Sequence, residues 1–467
     1  MKILFTHGYF LSEDPKEREI MKPYPPLGIL YLSAYLEQNG FPNELFDATF
    51  STIEKLKEHL LSTGPDLVCI YTNLMTKLNV LRIINFIKSD TGLQHTKIIL
   101  GGPEVRNHKE NFLSHGADVI VFGEGEDAML DLARLFSGNQ EPDLLGLPGT
   151  AYLDAQGEMI VNADRTLIRD VNALPFPNRG KINLQKYFDA WKEKHGKSML
   201  NLSTMRGCPY SCKWCSRAVY GTSYRRRAAK LVVDEMESLK NKYQFDGIWF
   251  VDDVFTINHR WLREFAEEIS VRKLNIPYEI ITRADRMDEA SVKLLKDSGC
   301  FRVWIGAESG SQKIIDAMDR RVEVEQVRSM IRLVKSFGME AGTFIMLGYP
   351  GEDEHDIIDT LRHLKNANPN QYTITVAYPI KGTPLYAEVE DRFVAKLPWD
   401  SSTDRDIDFR RKYNRRYYDH AINWIYYEMQ YHKQDKKILS IKLKLKAWLA
   451  RGKMWRERTR LQTAAIY

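Results

Sequence analysis

The chain has 467 residues, 43% hydrophobic and 28% charged, with a formal net charge of +5. That length predicts two or three domains rather than one, the composition suits buried cores, and so small a charge excess does not by itself indicate nucleic acid. The longest apolar runs, such as 246–252 and 343–347, are strand-length and far short of a membrane span. Five cysteines behind an N-terminus that enters a strand directly, with no targeting segment, fit a reducing cytoplasm better than a disulfide framework.

Residues 1–140 alternate short β-branched runs with amphipathic segments. Strands are expected at Lys2–Thr6, Asp66–Tyr71, Thr96–Leu100 and Asp118–Phe122, and helices at Leu27–Asn39, Ile53–Ser62, Leu78–Ser89 and Glu126–Phe136. Strand–helix alternation with short connections predicts a doubly wound, Rossmann-like parallel sheet, and ligands on such sheets sit at the carboxyl ends of the strands. Those ends carry Thr72-Asn-Leu74, Gly101-Gly102-Pro103-Glu104 and Gly123-Glu124-Gly125-Glu126. Glycine lets backbone approach a bulky ligand, and helix N-termini favour an anionic group. No G-x-G-x-x-G follows the first strand, which argues against a nicotinamide cofactor.

Together with Pro25-Pro-Leu-Gly28, these elements resemble the cobalamin-binding domain that precedes many radical S-adenosylmethionine (SAM) modules. The resemblance implies corrin contacts from Thr72, Leu74, Gly101, Gly102, Pro103, Glu104, Gly123, Glu124 and Gly125. The D-x-H-x-x-G element that supplies a histidine to cobalt in other cobalamin enzymes is absent. His7-Gly8 is the only histidine after the first strand, without the aspartate or the spacing. A relic domain that no longer binds corrin is the alternative.

Residues 141–197 read as a connector, with a hairpin from Gly149–Leu153 and Glu158–Asn162 around Asp154-Ala-Gln-Gly157, then an irregular Leu174-Pro-Phe-Pro-Asn178. From 198 to 385 the alternation resumes. Six strands are expected at Met199–Thr204, Gly247–Asp252, Tyr278–Thr282, Arg302–Ile305, Gly342–Leu347 and Gln371–Ala377, separated by helices such as Ala229–Tyr243, Val324–Phe337 and Glu354–Ala367.

The first of these strands leads into Met205-Arg-Gly-Cys208-Pro-Tyr-Ser-Cys212-Lys-Trp-Cys215-Ser216. A C-x3-C-x2-C run can turn three thiolates toward one small cluster, and iron–sulfur cubes normally take four. Cys69 and Cys300 lie far off in apolar runs, so a cube here keeps one iron open, and an open position distinguishes a reactive site from a closed one. A structural zinc site would want four ligands in two pairs, and neither His195 nor His259 has ligand spacing.

The cysteine spacing, with Trp214 just before the last cysteine, resembles the signature of the radical SAM superfamily. That resemblance implies a partial (β/α)6 barrel, a 4Fe–4S cluster on Cys208, Cys212 and Cys215, and SAM chelated to the open iron. SAM contacts are then expected from Trp214, Asp252, Arg283, Glu308 and Gly348. Asp252 could accept from the methionyl ammonium or cap a helix, the second role fitting Asn258 better. Arg283 could pair with the SAM carboxylate or with nearby Asp285, and Glu308 could accept from ribose hydroxyls. The implied activity is reductive SAM cleavage to a 5′-deoxyadenosyl radical that attacks an unactivated carbon, with cobalamin-dependent methyl transfer as the main reading. Non-methylating oxidative cyclisation, as in the anaerobic porphyrin ester cyclases, is the alternative, and no residue is singled out as a proton relay. A non-catalytic cobalamin- or cluster-sensing protein would lack SAM cleavage. A small-molecule or lipid-like substrate and an electron donor such as ferredoxin or flavodoxin are expected partners, and no nucleic acid is.

Residues 386–467 are expected to form a helical, basic extension. In Lys436–Arg451 and onward to Arg460, Ile438, Ile441, Leu445, Trp448 and Leu449 share a helical face flanked by lysines. Such a face fits the inner surface of an anionic membrane, or else packs against the barrel.

Overall fold

In the computed structural model, residues 1–138, 142–434 and 437–458 are described, with side chains of 437–440 left aside. Ile438, Lys436 and Arg460 of the basic tail therefore lie outside the described side chains. The chain divides into two compact units, one of residues 1–209, 216–249 and 398–403, the other of 210–215, 250–397 and 404–467.

In the first unit, strands β1 (Ile3–His7), β2 (Glu44–Leu45), β3 (Leu67–Tyr71), β4 (Lys97–Gly101), β5 (Val119–Val121), β6 (Thr150–Leu153) and β7 (Met159–Val161) form one sheet in the order β2-β1-β3-β4-β5-β6-β7. Pairings from β2 to β5 are parallel and those of β5–β6 and β6–β7 antiparallel. The expected hairpin thus continues the sheet at its far edge. Each parallel strand is apolar on both faces because helices cover both sides. Leu4, Val68, Ile70, Ile98, Leu100 and Ile120 face one core, and Ile3, Phe5, Cys69, Ile99 and Val119 face the other. Several elements escaped the sequence reading: strand β2, only two residues long, the short helices Pro15–Ile20 and Lys109–Ser114, and the helix Leu184–His195, which sits where only a connector was expected.

Strand β8 (Met199–Leu202) precedes a two-stranded antiparallel pair, β9 (Met205–Arg206) with β10 (Arg225–Arg226). Then follow β11 (Gly247–Phe250), β12 (Tyr278–Thr282), β13 (Cys300–Glu308), β14 (Glu340–Leu347) and β15 (Gln371–Val376). Their sheet runs β15-β14-β13-β12-β11-β8, and each pair from β12 to β15 is parallel. This strictly sequential order is the open, curled half-barrel expected from six βα units. Cys69 and Cys300 are buried in β3 and β13, and burial pushes both thiols far up from their ordinary pKa.

At the amino ends of the barrel strands the Arg302 guanidinium, buried on β13, donates to Glu279 of β12 at 2.8 Å and pairs with Glu340 of β14 at 2.6 Å. The Trp304 indole N–H also donates to Glu279, at 3.2 Å. This end of a barrel carries stability rather than chemistry. Glu279→Ala would remove the buried partner of Arg302 and an acceptor of the Trp304 N–H, leaving the guanidinium to the partly exposed Glu340, and should destabilise the fold by about 1–3 kcal/mol, read as a lower urea midpoint.

Candidate functional site

Within the second unit, Cys212 is buried and Cys215 exposed, the Cys215 N–H donating to the Cys212 carbonyl at 3.3 Å. Cys208, half-buried, belongs to the first unit by its neighbours. Among the described residues no three His, Cys, Asp or Glu side chains are placed to hold a single metal ion. That is compatible with a cube, in which each thiolate takes its own iron.

Two guanidiniums converge on Cys212. Arg283 and Arg320 each place an Nη1 donor 3.8 Å from its sulfur, which is positive charge suited to a thiolate. Arg283 is buried at the end of β12. Its Nε donates to Asp285 at 2.8 Å, its Nη2 donates to the Arg320 carbonyl at 2.7 Å, and its guanidinium lies 3.9 Å from the Tyr210 ring centre. The salt bridge to Asp285 is therefore present, and all three guanidine nitrogens have protein partners. Arg320, which the sequence reading missed, donates to the Gly306 carbonyl at 2.9 Å, pairs with Glu308 at 3.6 Å and sits 5.7 Å from the Trp214 ring. Burial lowers its pKa, but Glu308 and Cys212 outweigh this and raise it.

Glu308 closes β13 in the left-handed region, at φ +64°, a conformation of a non-glycine residue that something must hold in place. Burial raises its pKa, and Arg320 and Arg283 oppose the rise. Trp214 packs against the cluster of Ile314, Met318, Tyr349, Leu385, Val389 and Phe409. Asp252 is buried after β11, and the cap of helix His259–Val271 is indeed Asn258, accepting from the Trp261 N–H at 3.0 Å. Gly348 follows β14 at φ +74°, and a Cβ there would lie 2.7 Å from Nη1 of Arg411.

Behind Gly348, Glu352 is fully buried. Its Oε2 accepts the Gly348 N–H at 2.5 Å, and its Oε1 has no hydrogen-bond partner among the described residues. Burial pushes its pKa from 4.5 up to about 8, against the Gly348 N–H and with help from Asp356, while Arg411 and Lys313 pull down.

The first unit gathers its predicted residues at the carboxyl edge of the sheet. Thr72 donates its N–H to the Gly101 carbonyl at 2.8 Å. Its hydroxyl is fully buried and has no hydrogen-bond partner among the described residues. Gly102 sits at φ +108°, and a Cβ there would come within 2.2 Å of the Thr72 carbonyl, so only glycine fits this turn. Leu74, Gly101, Pro103, Gly123 and Gly125 are half-buried at the same strand ends, and Glu104 is buried beside His108, 3.7 Å away. An orphan hydroxyl beside a turn that only glycine can make fits the tail of a large cofactor.

Glu124 behaves differently from its neighbours. Its carboxylate meets Arg206 at 2.8 Å and Arg225 at 2.6 Å and accepts the Ile168 N–H at 2.8 Å. Arg206 also pairs with Glu126. Any part this turn takes in ligand binding therefore falls to its backbone. His7 is engaged through both ring nitrogens, Nε2 with Asp47 at 3.1 Å and Nδ1 accepting the Tyr9 N–H at 3.2 Å.

Residues 202–364 match the Radical SAM superfamily and residues 18–133 match the B12 binding domain. The chain thus carries a radical SAM segment together with a B12-binding segment, the combination whose cofactors are a 4Fe–4S cluster, SAM and cobalamin. It is 26% identical to an uncharacterized methyltransferase of Pyrococcus horikoshii, over 85% of each chain. It is 27% identical to the anaerobic magnesium-protoporphyrin IX monomethyl ester cyclase of Cereibacter sphaeroides, over 84% of this chain and 64% of that one. Its fold is similar to that of the cobalamin-dependent SAM radical enzyme OxsB, with a TM-score of 0.75 and 18% identity, over 97% of this chain and 72% of the other.

The Glu352 carboxyl gives a pH signature. With a folded-state pKa near 8 against 4.5 unfolded, its contribution to stability is complete below pH 4.5 and is lost as pH rises through 8. Glu352→Gln keeps an acceptor for Gly348 and removes the titration. The variant's urea midpoint should therefore gain on the parent's progressively between pH 5 and 8.

Proposed function

We propose that this chain is a cobalamin-dependent radical SAM methyltransferase acting on a small-molecule or lipid-like substrate. The observation that carries the reading is the C-x3-C-x2-C loop inside the radical SAM segment, with Arg283 and Arg320 at the Cys212 sulfur. When bound, the cluster and SAM supply a 5′-deoxyadenosyl radical competent toward unactivated carbon, and cobalamin supplies a methyl carrier.

In this reading Cys208, Cys212 and Cys215 ligate the cluster. Trp214, Asp252, Glu308 and the Gly348 turn form the SAM cradle, and Arg283, itself anchored by Asp285 and the Arg320 carbonyl, acts mainly on the cysteine loop through the Cys212 sulfur and the Tyr210 ring. The Thr72 hydroxyl and the backbone of Gly101-Gly102 and Gly123–Gly125 hold the corrin. The expected division into a corrin domain to residue 140, a connector to 197, a barrel to 385 and a helical extension belongs to the same proposal. An electron donor such as ferredoxin or flavodoxin reduces the cluster, in a reducing cytoplasm at the inner face of the membrane. Among the described residues no helix is long and apolar enough to cross that membrane. Non-methylating radical chemistry is the second reading, favoured by the likeness to the ester cyclase.

Anaerobically reconstituted protein should hold one 4Fe–4S cluster and release 5′-deoxyadenosine from SAM on reduction. Alanine at Cys208, Cys212 or Cys215 should abolish release, while Cys69→Ala and Cys300→Ala keep the cluster spectrum. Loss of the cluster in either of the last two would reassign the ligands.

Protein purified with hydroxocobalamin should retain a corrin whose spectrum does not change in His7→Gln, since both imidazole nitrogens already have partners. Thr72→Val should weaken retention. Failure of the parent to retain any corrin would favour the non-methylating reading.

A further inference from the structure

The C-terminal helix Lys437–Glu457 has two apolar faces. One, made of Leu443, Ala447, Ala450 and Met454, is buried, and the helix lies along its neighbour Arg415–His432. At 100° per residue this face is centred opposite a second stripe of Ile441, Leu445, Trp448 and Trp455. Those four side chains are 72%, 55%, 70% and 71% exposed. The sequence left two fates open for this face, and the structure removes one, because the face that packs is the other one.

Basic residues run down both seams between the faces. Lys444 lies 4.6 Å from the Tyr431 ring and Arg451 5.1 Å from the Trp424 ring on one side, while Lys442, Lys446 and Lys453 occupy the other. Arg456 falls at the edge of the stripe. From 441 to 456 the helix carries six basic residues and no acidic one. A stripe of this size is not needed by the fold, and isolated exposed apolar residues would not line up on one helical face.

We propose that this stripe seats the enzyme on an anionic lipid surface, with the helix lying in the plane of the interface. Tryptophan favours the headgroup boundary, lysine stems can lie along the apolar layer while their ammonium groups reach phosphates, and a basic polar border matches anionic lipid. A second copy of the chain is the less suitable occupant, since two helices each carrying six cations would repel across a seam without acidic partners. The proposal deepens the membrane placement given above and rests on it, but not on the reaction.

The test is co-sedimentation of the holoenzyme with vesicles of phosphatidylcholine alone or mixed with phosphatidylglycerol, at low and high salt. The parent is compared with the double variant Trp448→Glu/Trp455→Glu. Both sites are exposed, so the fold should survive, as circular dichroism and 5′-deoxyadenosine release would verify. The parent should bind mixed vesicles at low salt, lose much of that binding at high salt, and bind at least about tenfold better than the variant. Negligible parent binding overturns the proposal, as does binding that survives the substitutions, because charge alone would then suffice. A concentration-dependent dimer seen by light scattering and abolished by the substitutions, without vesicle binding, assigns the stripe to a second copy. Loss of 5′-deoxyadenosine release in the parent would instead count against the catalytic reading and leave the vesicle result standing.

Discussion

A guanidinium taken out of water has to be matched by negative charge and by acceptors, or the fold cannot keep it. In the barrel unit, Arg283 and Arg320 are both buried beside Cys212. Asp285 answers the first and Glu308 the second, while the carbonyls of Arg320 and Gly306 take further N–H groups. The sulfur lies within reach of one nitrogen from each. The cysteine loop is thus held from the side of its middle cysteine by groups that come from β12, from the turn after helix Gln312–Ala317 and from the end of β13. The unusual backbone of Glu308 belongs to this arrangement, since its carboxylate must reach Arg320 from a strand end.

The same requirement organises the base of the loop in the other unit. Arg206 stands two residues before Cys208 and pairs with Arg225 across β9 and β10, so the excursion that carries the cysteines closes on a short antiparallel stem. Two adjacent arginines in that stem would repel, and Glu124 accepts from both while Glu126 takes the other end of Arg206. Arg227, next in line, is matched by Glu235 at 2.6 Å. Gly207 opens the loop at φ +82°, where a Cβ would sit 2.5 Å from the Ser223 carbonyl. The Gly-Glu-Gly-Glu turn therefore fixes the root of the cysteine loop as well as lying at the carboxyl edge of the first sheet.

The fold was legible in the sequence wherever burial on both sides of a parallel sheet produces continuous β-branched runs. Tyr278–Thr282 and Glu354–Ala367 fall where the pattern put them, and most other elements agree within a few residues. Helix Leu184–His195 was hidden because it follows a proline-rich stretch and carries several charges, so its apolar positions Leu184, Tyr187, Phe188 and Trp191 did not stand out. The site was legible only in part. Cysteine spacing and strand-end glycines are local signals, readable without the fold. Charge pairing is not local. Arg320, in an Asp-Arg-Arg turn, and the run Arg225-Arg-Arg227 look like solvated charge until the partners Glu308, Glu124 and Glu235 arrive from far along the chain. For the same reason Glu124 read as a ligand contact, while the structure commits its carboxylate to two arginines.

The two ends of the molecule's chemistry are constrained to different degrees. Near β1, His7 is spoken for by Asp47 and Tyr9, and Asp47 in turn accepts from the Tyr187 hydroxyl at 2.9 Å. Burial raises the Asp47 pKa, and the histidine and threonine hydrogen bonds outweigh it and bring it down. Removing His7 to reach a metal would break that buried network, so an imidazole from this strand is not available without unfavourable rearrangement. A corrin held in this domain would then rely on the backbone cradle around Gly102 and the Thr72 hydroxyl, with its cobalt free of a histidine from β1. By contrast, the C-terminal helix has committed only one of its apolar faces. Periodicity found only the face of Ile441, Leu445 and Trp448, because the face that packs is built largely of the small residues Ala447 and Ala450 beside Leu443 and Met454, and alanine is a weak signal of burial.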